Sequence, residues 1–202
     1  MLRKLPIIAV FGQGTPIGPE RADLAKAAGA MVAKLGAHLL TGGGYGVMAA
    51  AAEGFVATPA RPGFSIGIVP RDPQGPLDRP NRNTDGQPYP NPFVEIAILT
   101  PLPPRVEDWH NQPARNHINV FSADGIIVLP GGAGTRNEIE MAAAYRDELT
   151  RPRGARRTVL VGPADEFMPE HKQQFVHAET LGEAERHLRG ALAAHGIAIG
   201  QR

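Results

Sequence analysis

The segment that most constrains the fold is an apolar run that breaks into glycines and then turns helical. Gly125, Ile126, Ile127, Val128 and Leu129 lack polar alternation, the pattern of a short strand buried on both faces. Pro130 stops the run. Gly131, Gly132 and Gly134 follow, residues that allow positive φ and a close backbone approach. After Thr135, the stretch Glu138, Ile139, Glu140, Met141 and three alanines favours a helix. Strand, glycine turn and helix in this order leave N–H groups and the positive end of a helix dipole at the turn, where phosphate fits. Thr135 and Glu138 also satisfy a T-x-x-E capping box, in which the side chains only close the helix start. The segment alone leaves both readings open.

Two more strand-to-turn junctions lie upstream. An apolar run from Pro6 to Phe11 ends in Gly12, Gln13, Gly14 and Thr15, the usual opening of a nucleotide-binding βαβ unit. Gly18 falls four residues after Gly14, and Pro16 and Pro19 interrupt, so the dinucleotide fingerprint is absent. Residues 20–35 space Leu24, Ala27, Ala28, Met31, Val32 and Leu35 at helical intervals up to Gly36. His38, Leu39 and Leu40 then lead into Gly42, Gly43, Gly44 and Gly46 and an alanine-rich helix reaching Gly54. These glycines serve a ligand or close helix-on-sheet packing.

Strands are also expected at 64–70, 93–99 and, as the last one, 158–162, with a polar helix over 108–122 and an amphipathic docking helix over 179–192. Alternation of this kind predicts one Rossmann-like α/β domain over residues 1–202, a doubly wound, mostly parallel sheet with helices on both faces. Its ligand belongs beyond the carboxyl ends of the strands, where the glycine turns converge. Six prolines in residues 71–92 make helix or strand improbable there. A loop of that length is functional or mobile, a lid over the site or a contact with a partner subunit.

With 42% hydrophobic and 20% charged residues, the chain has an ordinary globular composition. A net charge of +1 points neither to nucleic acid nor to a membrane surface. No cysteine is present, which excludes disulfides, thiolate zinc and cysteine catalysis and fits a cytoplasmic setting. His171, His177, His187 and His195 are scattered without ligand spacing and are read as surface or capping residues. No metal and no resident cofactor are expected. The arginines at 151, 153, 156 and 157 are read as a solvated loop.

The nonapeptide P-G-G-x-G-T-x-x-E, complete from Pro130 to Glu138, resembles the LOG-type proteins, long labelled possible lysine decarboxylases. Their wider Rossmann-like superfamily includes cytokinin-activating phosphoribohydrolases and molybdenum-cofactor carrier proteins. Arg115 stands fifteen positions before Pro130, where the family has its arginine, and Asp124 falls where it has its aspartate. The turn at 42–48 is similar to the family's G-G-G-x-x-G-L-M type.

The resemblance implies a nucleoside 5′-monophosphate-like ligand, hydrolysis of its N-glycosidic bond to free base and ribose 5-phosphate, and a homodimer. By position, Glu138 and Arg115 are the catalytic pair. Gly131, Gly132, Gly134 and Thr135 hold the phosphate, with Gly12, Gly14, Thr15, Gly42, Gly43, Gly44, Asn116 and Asn119 completing the site. Decarboxylation finds no support, because Lys4, Lys26, Lys34 and Lys172 all lie away from the glycine turns. Asn116 and Asn119 stand where the phosphoribohydrolases carry a lysine and a methionine. That start resembles the branch with the molybdenum-cofactor carriers, and implies as the alternative a non-catalytic carrier or sensor of a phosphorylated ligand.

Overall fold

The computed structural model describes residues 5–144 except 77, 84 and 105, and residues 158–199 except 195 and 198. Seven strands, β1 (Ile7–Phe11), β2 (His38–Thr41), β3 (Ser65–Pro70), β4 (Ile96–Thr100), β5 (Gly125–Val128), β6 (Thr158–Val161) and β7 (Val176–Ala178), form one sheet. Their order is β4-β3-β2-β1-β5-β6-β7, and every pairing is parallel. The helices are α1 (Pro19–Lys34), α2 (Val47–Val56), α3 (Arg115–Ser122), α4 (Ala133–Ala144), α5 (Pro169–Gln174) and α6 (Leu181–Ala194).

Strand alternation splits the core into two layers. Ile8 and Val10 of β1, with Ile127 of β5 and Leu129 just after it, pack beneath α1, α2 and α6. Ala9 and Phe11, with Ile126 and Val128, pack against α3 and α4 on the other face. Both faces of the central strands are thereby covered, which is why these strands read as unbroken apolar runs. The chain is a single doubly wound α/β domain, as its alternation of elements predicts.

Helices α1 and α2 approach closely enough that a Cβ on Gly29 would sit 1.8 Å from the Ala51 carbonyl oxygen, and one on Gly54 2.0 Å from that of Lys26. The alanines of α2 thus meet a helix of their own chain: Ala50, Ala51 and Ala52 are all buried.

Several boundaries differ from the sequence reading. Strand β6 is not the last, since β7 follows it, and α5 lies between the two. Helix α3 begins at Arg115 and not near 108. Pro113 disfavours helical backbone in the residue before it, and residues 108–112 instead fold into a turn closed by Gln112 N–H donating to the Asp108 carbonyl at 2.9 Å. His117 fastens that turn to the helix. Its Nδ1 accepts from Ala114 N–H at 3.0 Å, and its Nε2 contacts the Trp109 carbonyl oxygen at 3.0 Å. His171 is buried, at 5% exposure, and not a surface residue. The arginine cluster, the chain from 145 to 157 and His195 lie outside the described residues.

Candidate functional site

Strand order reverses between β1 and β5, whose connections leave to opposite sides, so a crevice opens at their carboxyl ends. Three turns meet there. Gln13 N–H donates to the Pro130 carbonyl at 3.4 Å, and Val47 N–H donates to the Gln13 carbonyl at 2.9 Å. The turns after β1, β2 and β5 are thereby tied together.

Most of the turn glycines make this interlocking possible. A Cβ on Gly12 would lie 2.6 Å from Val47 Cγ1, and one on Gly14 3.2 Å from Met48 Cε. Gly42 leaves room for the Arg115 guanidinium, 2.2 Å from where its Cβ would be. Gly43 takes φ +68°, a left-handed conformation that favours glycine. Gly131 is held against Thr135, whose Oγ1 would be 2.1 Å from an added Cβ.

Gly132 and Gly134 differ, because a Cβ on either would meet nothing within 4 Å. Neither they nor Gly131 has positive φ, so the expected left-handed backbone at this turn is not what the glycines supply. They leave open space instead, over the first turn of α4. Thr135 is the third residue of that helix and not its cap, so the capping-box geometry is not formed. The first amides of a helix have no intrahelical acceptor, and at α4 they border the opening.

The opening is a cleft of about 400 Å³ lined by Gly12 to Thr15, Met48, Arg115, Asn116, Gly132 to Thr135 and Glu138. Arg82, Asn83 and Tyr89 from the proline-rich segment, with Pro104, complete it. Gly42, Gly43, Gly44, Gly131 and Asn119 do not line it. Gly42 instead accepts a hydrogen bond from Arg115 Nη1 through its carbonyl, and Nη1 also reaches the Ile68 carbonyl at 3.3 Å. Asn119 acts from behind, its Nδ2 donating to Glu138 Oε1 at 3.3 Å. Thr15 is exposed at the rim, its Oγ1 accepting from Gln13 Nε2 at 2.9 Å. Asp124 lies at the opposite end of the sheet, where its Oδ2 accepts from Ile7 N–H at 3.0 Å.

Arg115, Asn116, Asn119 and Glu138 are all more than nine-tenths buried. Burial pushes the Glu138 carboxyl up to about 7, against the nearby Arg115 charge and the Asn119 hydrogen bond, which lower it. Burial also lowers Arg115 from its usual value, while Glu138 and Tyr89 raise it. Three buried side-chain atoms in this group, Arg115 Nε, Asn116 Oδ1 and Asn119 Oδ1, have no hydrogen-bond partner. Each such orphan costs about 1–3 kcal/mol, so the site holds unspent donor and acceptor capacity.

Sequence reasoning missed Arg82, Asn83, Tyr89 and Asn137 as members of this region. Asn137 Oδ1 accepts from Asn116 Nδ2 at 3.3 Å, one residue before the motif glutamate. Tyr89 had a readable signal: a lone aromatic inside a polar, proline-rich loop. Among the described residues, no group of His, Asp or Glu side chains is placed to hold a metal ion.

The fold and the crevice are those of a LOG-type Rossmann-like protein. The chain belongs to the SLOG cluster4 family, whose model matches residues 5–161. It is similar to an uncharacterised protein of Archaeoglobus fulgidus, 32% identical over 139 residues, covering 69% of this chain and 74% of that one. The molybdenum cofactor carrier protein of Chlamydomonas reinhardtii superposes with a TM-score of 0.66 at 24% identity, over 94% of this chain and 99% of that one. The molybdenum cofactor binding protein of Rippkaea orientalis gives 0.62 at 27% identity, over 95% and 97%. DNA processing protein A of Helicobacter pylori shares the fold alone, with a TM-score of 0.56 at 16% identity over 92% of this chain and 80% of that one.

Proposed function

We propose that this protein binds a phosphorylated, nucleotide-like small molecule as a carrier or sensor. The phosphate rests on the first turn of α4, and a pterin phosphate such as the molybdenum cofactor belongs to the ligand class. One observation carries the reading: Arg115 and Asn116, each with a buried polar atom that has no partner, line the cleft beside a helix start whose glycines leave open space. A ligand with an anionic end and donor and acceptor groups would offer partners to both side chains. Arg115, already fixed by the Gly42 and Ile68 carbonyls, would meet the anion at little cost in side-chain ordering. Likeness to two molybdenum cofactor binding proteins supports the same reading. Asn116 supplies hydrogen bonds and no charge at the cleft, which suits holding a ligand. Assembly as a homodimer is part of the proposal, and light scattering measures it.

A second reading is favoured by Glu138. A buried carboxyl at about 7 beside an arginine suits proton transfer at neutral pH, or stabilisation of an oxocarbenium-like sugar when ionised. In that reaction water adds to the sugar carbon, the glycosidic bond breaks, and the base leaves with a proton. Incubation with AMP and related monophosphates separates the two readings, with free base followed by chromatography and the melting temperature recorded in parallel. The carrier reading expects a raised melting temperature and no free base. Release of base that Glu138→Gln abolishes would establish hydrolysis, and neither effect with any phosphorylated ligand would remove both readings.

A further inference from the structure

The proline-rich segment is a wall of the cleft whose chemistry the phosphate site does not use. It is tied to the turn after β2. Asn91 donates from its backbone N–H to the Gly43 carbonyl at 2.8 Å and from Nδ2 to the Gly44 carbonyl at 2.7 Å. The Tyr45 hydroxyl donates to the Pro88 carbonyl at 3.0 Å. Further back, Asn81 N–H donates to the Pro70 carbonyl at 2.8 Å and Tyr89 N–H to the Asn81 carbonyl at 3.1 Å. The segment is thus held at Asn81 and at Asn91 against the carboxyl end of the sheet, with Tyr89 on the cleft.

At that wall Tyr89 meets Met48. A Cβ on Gly44 would lie 2.6 Å from Met48 Cε and 3.3 Å from Tyr89 Cε1, so the thioether and the ring converge over this glycine. Both side chains line the cleft, together with Pro104. Tyr89 is only half-buried, and with Met48 and Pro104 it gives this wall an apolar patch beside Arg82 and Asn83 of the same segment. A phosphosugar would leave such a surface unused. A flat aromatic ring would cover it, by stacking on the tyrosine and by sulfur–ring contact with the methionine.

We propose that Tyr89 and Met48 form the subsite that holds the planar ring of the ligand. The inference rests on the binding reading above and narrows it. Isothermal titration tests it with AMP, a pterin monophosphate and the ringless ribose 5-phosphate, on the wild-type chain and on Tyr89→Ala, Tyr89→Leu and Tyr89→Phe. At least one ring-bearing ester binds the wild type about tenfold more tightly than ribose 5-phosphate, the order expected of one stacked base. Tyr89→Ala and Tyr89→Leu reduce that preference to within about threefold, whereas Tyr89→Phe keeps it, because stacking needs the ring and not the hydroxyl. Ribose 5-phosphate binding as well as both ring-bearing esters overturns the inference and leaves the phosphate site standing. A preference that survives in Tyr89→Leu also overturns it. No binding of any of the three removes the phosphate reading and this one together.

Discussion

Buried beside Arg115, the Glu138 carboxyl keeps its proton up to about pH 7, well above the 4.5 usual for glutamate. Between those values the folded chain holds a proton that the unfolded chain has lost. This group's contribution to stability is therefore fully present below about pH 4.5, falls as pH rises towards 7, and is flat above. Glu138→Gln removes the dependence. The variant should match the wild type in urea unfolding at pH 4.5 and exceed it at pH 8 by up to about 3 kcal/mol. Equal stability at both pH values would mean that the carboxyl is not held neutral by burial. At this scale the sequence was most readable where spacing was fixed: Arg115 fifteen positions before Pro130, and Glu138 at the end of the glycine motif. Tyr89 stands out in the sequence as a lone aromatic, but its place at the cleft was not readable, because it depends on Asn91 bonding to the Gly43 and Gly44 carbonyls, a contact across more than forty residues.

Among the elements, two glycines separate packing from binding. Gly29 of α1 faces the Ala51 carbonyl of α2 at a distance that admits no Cβ. Gly29→Ala must push the helices apart and should cost about 1–3 kcal/mol or more, read as a lower denaturation midpoint. Gly134 is in the first turn of α4 with open space around it. Gly134→Ala should leave stability unchanged or raise it by up to about 1 kcal/mol, yet weaken a phosphorylated ligand about tenfold or more by filling the space over the turn. A variant that binds as well as the wild type would move the ligand away from this helix start. The long elements were legible in the chain, since α1, α2, α6 and the buried strands have either helical spacing or unbroken apolar runs. Strand β7 has three residues and α5 has six, too few for a period to show. The start of α3 was displaced because polar residues from 108 onward carry no breaker except Pro113.

Across the whole molecule, alternation of strands and helices predicted the doubly wound sheet, and the reversal between β1 and β5 brings the three predicted glycine turns together. What the chain did not display is the division of labour among them. Gly12, Gly14 and Gly42 make room for Val47, Met48 and Arg115, while Gly132 and Gly134 border empty space; that depends on side chains arriving from other turns. The central claim is that the first turn of α4 and Arg115 receive the phosphate. A crystal structure determined with AMP or a pterin monophosphate soaked in tests it most directly. The phosphate is predicted within hydrogen-bonding distance of the amides between Gly132 and Thr135, with the Arg115 Nε now partnered. A phosphate bound elsewhere on the chain, with this turn left untouched, would contradict the account.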